Sequence, residues 1–217
     1  MRKSTFTKAL FTTIAMAFCV TSAFAESATV NYEVTVPNYL TITAGGDPAA
    51  VEATVSFSNS NTGTCTLANS ALTGAFTVVS NDPNQKVYLF GTAIGAETSK
   101  KALFQTGNAA PILAFAKEGG TATATQIEDA ASSSPAVANN PDVIAFTITP
   151  TTSVTVSGNA TNLTGTYQTD HITYNMGNGV GTFTYVIGGV NVSNTFDTGD
   201  TAGTYKATLT MTNATSI

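Results

Sequence analysis

Few residues in this chain are of a type that does chemistry. His171 is the only histidine, so a serine- or cysteine-type acyl transfer would need its imidazole as base. A carboxylate such as Asp170 would then have to orient the ring, and the nucleophile would come from far along the chain. Adjacent side chains on an extended stretch point to opposite faces, which predicts that Asp170 does not orient His171 and that His171 is an exposed or edge residue. Of the two cysteines, Cys19 falls in an N-terminal leader and Cys65 stands alone in the remainder. With no histidine or basic residue near it in sequence to lower its pKa, Cys65 reads as a small buried side chain. One histidine and one distant cysteine exclude a zinc site, and no glycine-rich phosphate loop joins a strand to a helix.

Phe196-Asp197-Thr198-Gly199 resembles the hydrophobic-Asp-Thr-Gly signature of aspartic proteases. That chemistry needs two carboxylates sharing one proton, and the sequence contains no second copy. Asp200 also stands where a Ser or Thr would follow the glycine, so a polar turn explains the motif. Asp197 and Asp200 together offer oxygen ligands to calcium, without a third carboxylate beside them. Neither an enzyme nor a bound cofactor is expected from these residues.

The elements that would carry such residues begin with a leader. Arg2, Lys3 and Lys8 precede an apolar run over residues 9–20, and Ala23-Phe24-Ala25 forms a small-x-small cleavage site. The run is shorter than the roughly 20 residues of a membrane-spanning helix, so residues 1–25 read as a cleaved secretory signal with no stable span afterwards. The chain beyond the leader keeps five lysines, no arginine and thirteen acidic residues, a net charge of about −8. Phosphate backbones need clustered Lys and Arg, so nucleic acid is not an expected partner. An exported chain with one cysteine must hold its fold by burial and backbone pairing without an internal disulfide.

Residues 28–36, Ala-Thr-Val-Asn-Tyr-Glu-Val-Thr-Val, alternate strictly between apolar and polar, the pattern of a half-buried strand at a free end. Thr, Ser, Gly, Val and Asn dominate the body, which suits strands and turns. Alternation recurs at 53–57, 143–148, 154–156 and 172–174. Continuous apolar runs at 76–79, 87–90 and 112–116 predict strands buried on both faces. Phe183 to Val192, with Gly188-Gly189 between two alternating arms, predicts a tight hairpin. Residues 118–142 read as a long surface loop or insertion with little to bury, in which 126–129 make one helical turn. Tyr205, Ala207, Leu209 and Met211 share one face of a closing strand introduced by Gly203. The fold expected is all-β, an antiparallel sandwich, with a closed barrel as the structural alternative. Asn-x-Ser/Thr triplets begin at Asn159, Asn162, Asn191 and Asn213, as chance supplies in a chain this rich in Asn, Ser and Thr.

A cleaved leader, an alternating first strand, a Thr- and Gly-rich body and a glycine-led closing strand together resemble the subunits of bacterial chaperone-usher fimbriae. The stretch 30–37 is similar to the mature start of the cysteine-free, CS1-like major pilins, consistent with the missing disulfide. The resemblance implies an immunoglobulin-like β-sandwich lacking one strand. A periplasmic chaperone fills the gap first, and at an outer-membrane usher the N-terminal extension of the next identical or related subunit replaces it. By the same resemblance Val30, Tyr32, Val34 and Val36 are the inserting side chains of a donor strand over 28–36. The acceptor groove follows Gly203 and is lined by Tyr205, Ala207, Leu209 and Met211. The alternative is a self-contained secreted sandwich that binds glycans through exposed tyrosines.

Overall fold

The computed structural model describes residues 33–45, 52–57, 61–68, 72–104, 110–132, 135 and 140–217. The chain divides after Val36. Ahead of that point the described residues, 33–36, belong to no strand or helix and are exposed. Pro37–Ile217 forms the body.

In chain order the body's strands begin with β1 (Leu40–Ala44), β2 (Ala53–Phe57), β3 (Gly63–Leu67), β4 (Leu72–Ser80) and β5 (Lys86–Ile94). The short β6 (Thr98–Ser99) and β7 (Leu103–Phe104) come next, then β8 (Ile112–Lys117), the helix α1 (Ala124–Ala130) and the long β9 (Val143–Val156). The chain closes with β10 (Asn159–Asn162), β11 (Thr166–Tyr167), β12 (His171–Asn175), β13 (Gly179–Ile187) and β14 (Tyr205–Thr212). All pairings among these strands are antiparallel, in the order β1-β4-β13-β9-β8-β14-β5-β12-β11, with β2-β3 as a separate pair. The fold is all-β, and its layers meet face to face. Tyr174 of β12 packs edge-on against Phe183 of β13 at 5.1 Å. A Cβ on Gly91 of β5 would lie 2.6 Å from the Leu103 Cβ of β7.

Alternation predicts several of these strands correctly, and burial explains why. In β13, Gly181, Phe183, Tyr185 and Ile187 are buried while their neighbours are not. β8 is buried on both faces over residues 112–116, as its unbroken apolar run requires. The run at 76–79 differs, because Thr77 is exposed between Phe76 and the buried Val78.

Residues 143–148 and 154–156 turn out to be two halves of one strand, β9, which runs through Pro150. Proline interrupts a sheet by its missing N–H. On the side where the Ile148 N–H reaches the Pro111 carbonyl and the Thr152 carbonyl accepts from Leu163, β8 ends at Thr147 and β10 begins only at Ser153. Pro150 falls in that gap and breaks no ladder.

The hairpin expected across Gly188-Gly189 does not form. β13 ends at Ile187, and the second arm pairs with β3 instead. Leu67 N–H donates to the Gly189 carbonyl at 3.1 Å, and Asn191 N–H to the Cys65 carbonyl at 3.0 Å. A two-residue hairpin does occur at Ser157-Gly158, where both residues take positive φ (50° and 84°) and β10 folds back on β9.

The described part of 118–142, up to residue 132, is likewise not a solvated excursion. Thr123 and Gln126 form a reciprocal capping box at the start of α1. The helix and its flanks bury Ala122, Ile127, Ala130 and Ala131 in the core. The run of small residues that reads as bland in sequence is the surface that lets a helix seat closely on strands.

Candidate functional site

The closing strand occupies the predicted residues, and its apolar face turns inward. Met211 is 7% exposed, and Tyr205, Ala207 and Leu209 pack half-buried against the core. Lys206 and Thr208 are exposed between them. On one side residues 207–212 ladder with β5 over residues 88–93. On the other side only Tyr205 and Lys206 meet β8, opposite Lys117 and Ala116. Among the described residues, β14 therefore has no ladder partner along that second edge from Ala207 to Thr212.

Backbone polar groups along a strand edge are a template for another strand. Among the described residues the ends of the order, β1 and β11, are also open on one side, as are the four-residue β10, exposed throughout, and β2 of the separate pair. β11 has only two residues, β1 has five, and β2 is exposed at every position. Among the described residues the β14 edge is the one that combines six positions without a ladder partner with an apolar floor.

A polar clasp holds the start of this strand. Asp142, buried and in a left-handed conformation (φ 62°), accepts from Thr201 Oγ1 at 2.7 Å, Thr121 N at 3.0 Å and Thr121 Oγ1 at 3.1 Å. Burial works against its ionised form, but these bonds prevail and hold its carboxyl below the usual range. Lys117 lies 3.8 Å from Asp142 and also bonds Thr201. Gly203 passes beneath that lysine, where a Cβ would sit 2.5 Å from its Cε. Glu118 N–H donates to the Thr204 carbonyl at 2.8 Å, and the Tyr205 hydroxyl to the Thr201 carbonyl at 2.9 Å.

Asp197 and Asp200 are spent on the turn ahead of the clasp. Asp200 accepts from Val143 N at 3.1 Å and Asp197 N at 2.8 Å, and Asp197 accepts from Gly199 N at 2.5 Å. Burial pushes the Asp200 carboxyl up to about 7; the Asp197 carboxylate adds to this, and the N–H bonds oppose it. Among the described residues no group of three or more His, Cys, Asp or Glu side chains could hold a metal.

Cys65 is buried, 3% exposed, and burial followed by the Asp200 charge raises its thiol. For Asp170 the sequence expectation is overturned, because its Oδ1 lies 2.7 Å from His171 Nδ1. Asp170 sits in the bend before β12, not on the strand, so strand alternation does not separate the two side chains. The imidazole rests against Phe90 at 5.0 Å and Tyr88 at 5.6 Å.

Of the predicted donor residues, Val30 and Tyr32 lie outside the described residues. Val34 is 85% exposed and Val36 72%. Pro37 and Tyr39, which lead into β1, are held by Asn81, a contact that no sequence pattern announces. No helix among the described residues is long and apolar enough to cross a membrane. Comparison of the chain with family models, with curated proteins and with solved structures finds no match.

Proposed function

We propose that this chain is a secreted, non-enzymatic structural subunit that assembles into a cell-surface fimbria by donating residues 28–36 to a neighbouring copy. The observation that carries this reading is a complementary pair. Val34 and Val36 are apolar side chains left exposed at alternate positions, and β14 is a closing strand with an open edge over an apolar floor. Pairing them would bury each apolar side chain for about 2 kcal/mol and complete a backbone ladder at the same time.

Export by the leader, capture by a periplasmic chaperone and ordering by an outer-membrane usher complete the proposed route. The test is to delete residues 26–36 and then supply them as a free peptide. The truncated protein should stay folded or chaperone-held, fail to form oligomers and bind the peptide in one-to-one ratio. A truncation that unfolds a monodisperse monomer, or a folded body that ignores the peptide, overturns the reading.

A further inference from the structure

Alternation alone does not tell a donated strand where to stop along β14. A slip of one residue would turn every apolar side chain of 28–36 outward. A slip of two keeps the apolar face inward and changes only which valine or tyrosine meets which floor residue. The donor stretch is longer than the free edge from Ala207 to Thr212, so several such registers fit. A further contact has to choose among them.

The distribution of charge offers one. Glu33 is the single charged residue of 28–36, and it is exposed. It shares the polar phase of that stretch with Thr29, Asn31 and Thr35. Lys206 is the single charged residue of β14, exposed on the outward phase with Thr208. The place opposite Lys206 is already taken by Ala116 of β8. The first outward-facing place on the free edge is therefore opposite Thr208, diagonal to Lys206. Diagonal neighbours across a ladder lie about 7–8 Å apart, within reach of two long side chains. Lys206 Nζ meets Glu118 Oε2 at 2.9 Å, with the two side chains 60% and 63% exposed. An ammonium carries three donors, so this solvent-facing pair leaves room for a second carboxylate. The other lysine at the fork, Lys117, is instead tied to Asp142 and Thr201.

We propose that Glu33 of the incoming strand pairs with Lys206 of a second copy of this chain, and that this contact sets the register of donation by seating Glu33 opposite Thr208. The inference rests on strand donation to β14 and names the pair of residues that selects its register. Tyr32 and Val34 then lie over Ala207 and Leu209, in an order set by the direction of the strand. A slip of two residues along the free edge carries Glu33 about 6.8 Å further from Lys206. There it faces Thr210, where β14 has no charge to offer. Exposed ion pairs add little to stability, and their use at a joint is to fix register and exclude wrong pairings.

The experiment uses the full mature chain, as an equal mixture of isotope-labelled and unlabelled copies treated with a water-soluble carbodiimide, which joins a carboxylate to an amine only where the two touch. Peptide mapping by mass spectrometry should find Glu33 joined to Lys206 between labelled and unlabelled copies. Glu118 joined to Lys206 within one copy is the internal control. Glu33→Lys and Lys206→Glu should each raise the concentration needed for assembly by about two- to fivefold, and both reversals in one chain should restore it. Both side chains are exposed, so melting temperature should not move. Each effect should shrink in about 1 M salt. Oligomers in which Glu33 is not joined to Lys206, or reversals that fail to compensate, overturn the register and leave strand donation standing. A Glu33 to Lys206 link found only within single copies shows the strand paired with its own body, and overturns both. A chain that forms no oligomers also overturns both.

Discussion

The side chain of Asn81 closes on the backbone of Tyr39. Its Oδ1 accepts the Tyr39 N–H at 2.6 Å, its Nδ2 donates to the Pro37 carbonyl at 2.8 Å, and its own N–H reaches the Tyr39 carbonyl at 3.3 Å. β1 and β4 pair from Leu40 and Ser80 onward, so Asn81 extends the pairing by one step beyond the last ladder residue. Proline at 37 has no N–H with which to continue the ladder, and it biases Val36 toward extended conformations. The body thereby holds Pro37 and Tyr39 in line with the end of β4.

Replacing Asn81 by alanine should loosen that root with little global cost. The bonds are exposed, and their net worth is at the low end of the roughly 0.5–1.5 kcal/mol of a protein hydrogen bond. The Tyr39 amide should exchange markedly faster, and a spin label at position 36 should report a broader range of distances to the body. Unchanged exchange at Tyr39 would show that the clasp does not restrain the root.

Val34→Asp with Val36→Asp should abolish assembly without touching the fold. Both positions are exposed, and surface substitutions of this kind stay within about 0.5 kcal/mol. In a joint, by contrast, each would place a charge where an apolar side chain is meant to be buried. Light scattering should show monomers, and thermal melting should match the parent. Oligomers that persist in the double variant would move the contact elsewhere.

Stability should fall as pH rises from about 4 to 8. The Asp200 carboxyl is raised in the folded state, to about 7 from its ordinary value of 3.8. A carboxyl raised on folding stabilises fully below its unfolded pKa, and that contribution is lost as pH rises through its folded value. Asp142 runs the other way. Its folded pKa is lowered, so its contribution is present above the unfolded value and is lost as pH falls through the folded one. Melting temperature should therefore peak in mildly acidic buffer. Asp200→Asn should flatten the decline between pH 5 and 8, although at pH 5 it should melt below the parent because one of the two N–H bonds at that site loses its acceptor. A parent protein whose melting temperature rises through this window would contradict the assignment to Asp200.

Alternating residues with a buried face were legible from the sequence, because one side of the strand must meet the core. Tyr205 to Met211 obey that rule, and the unbroken apolar run 112–116 was legible for the complementary reason that both of its faces are buried. Gly188-Gly189 misled, since glycine permits a tight turn without requiring one, and the Val190 arm found a better partner at Thr66, over a hundred residues earlier in the chain. The small residues around α1 misled for the opposite reason. Alanine carries a weak periodic signal, and only the packed helix reveals that Ala122, Ala130 and Ala131 are core. Asp170 and His171 meet because the strand begins one residue later than an extended reading assumes. At the joining site the inward face of β14 was legible in its alternation. Its open second edge depends on where β8 turns away, which no local pattern encodes.

Two glycines in the strands should respond to the same substitution with opposite signs. Gly91 pairs with Leu209 at the middle of the β14 ladder, and a Cβ there would lie 2.6 Å from Leu103 Cβ, 2.8 Å from Leu113 Cδ1 and 2.9 Å from the Leu103 backbone nitrogen. Backbone cannot retreat as a side-chain tip can, so Gly91→Ala must push β7 and β8 off β5 at a cost of about 1–3 kcal/mol or more. Because Leu209 is the ladder partner of that spot, the displacement should also weaken capture of the 26–36 peptide by the truncated body. Gly74 lies in β4 opposite Tyr185, with nothing within 4 Å of its would-be Cβ and no positive φ to oppose a side chain. Gly74→Ala should be neutral or stabilising by up to about 1 kcal/mol, by restricting the unfolded chain. Urea unfolding of the two variants checks both signs, and a Gly91→Ala protein as stable as the parent would mean that β5 and β7 do not approach each other as closely at Leu103 as this packing requires.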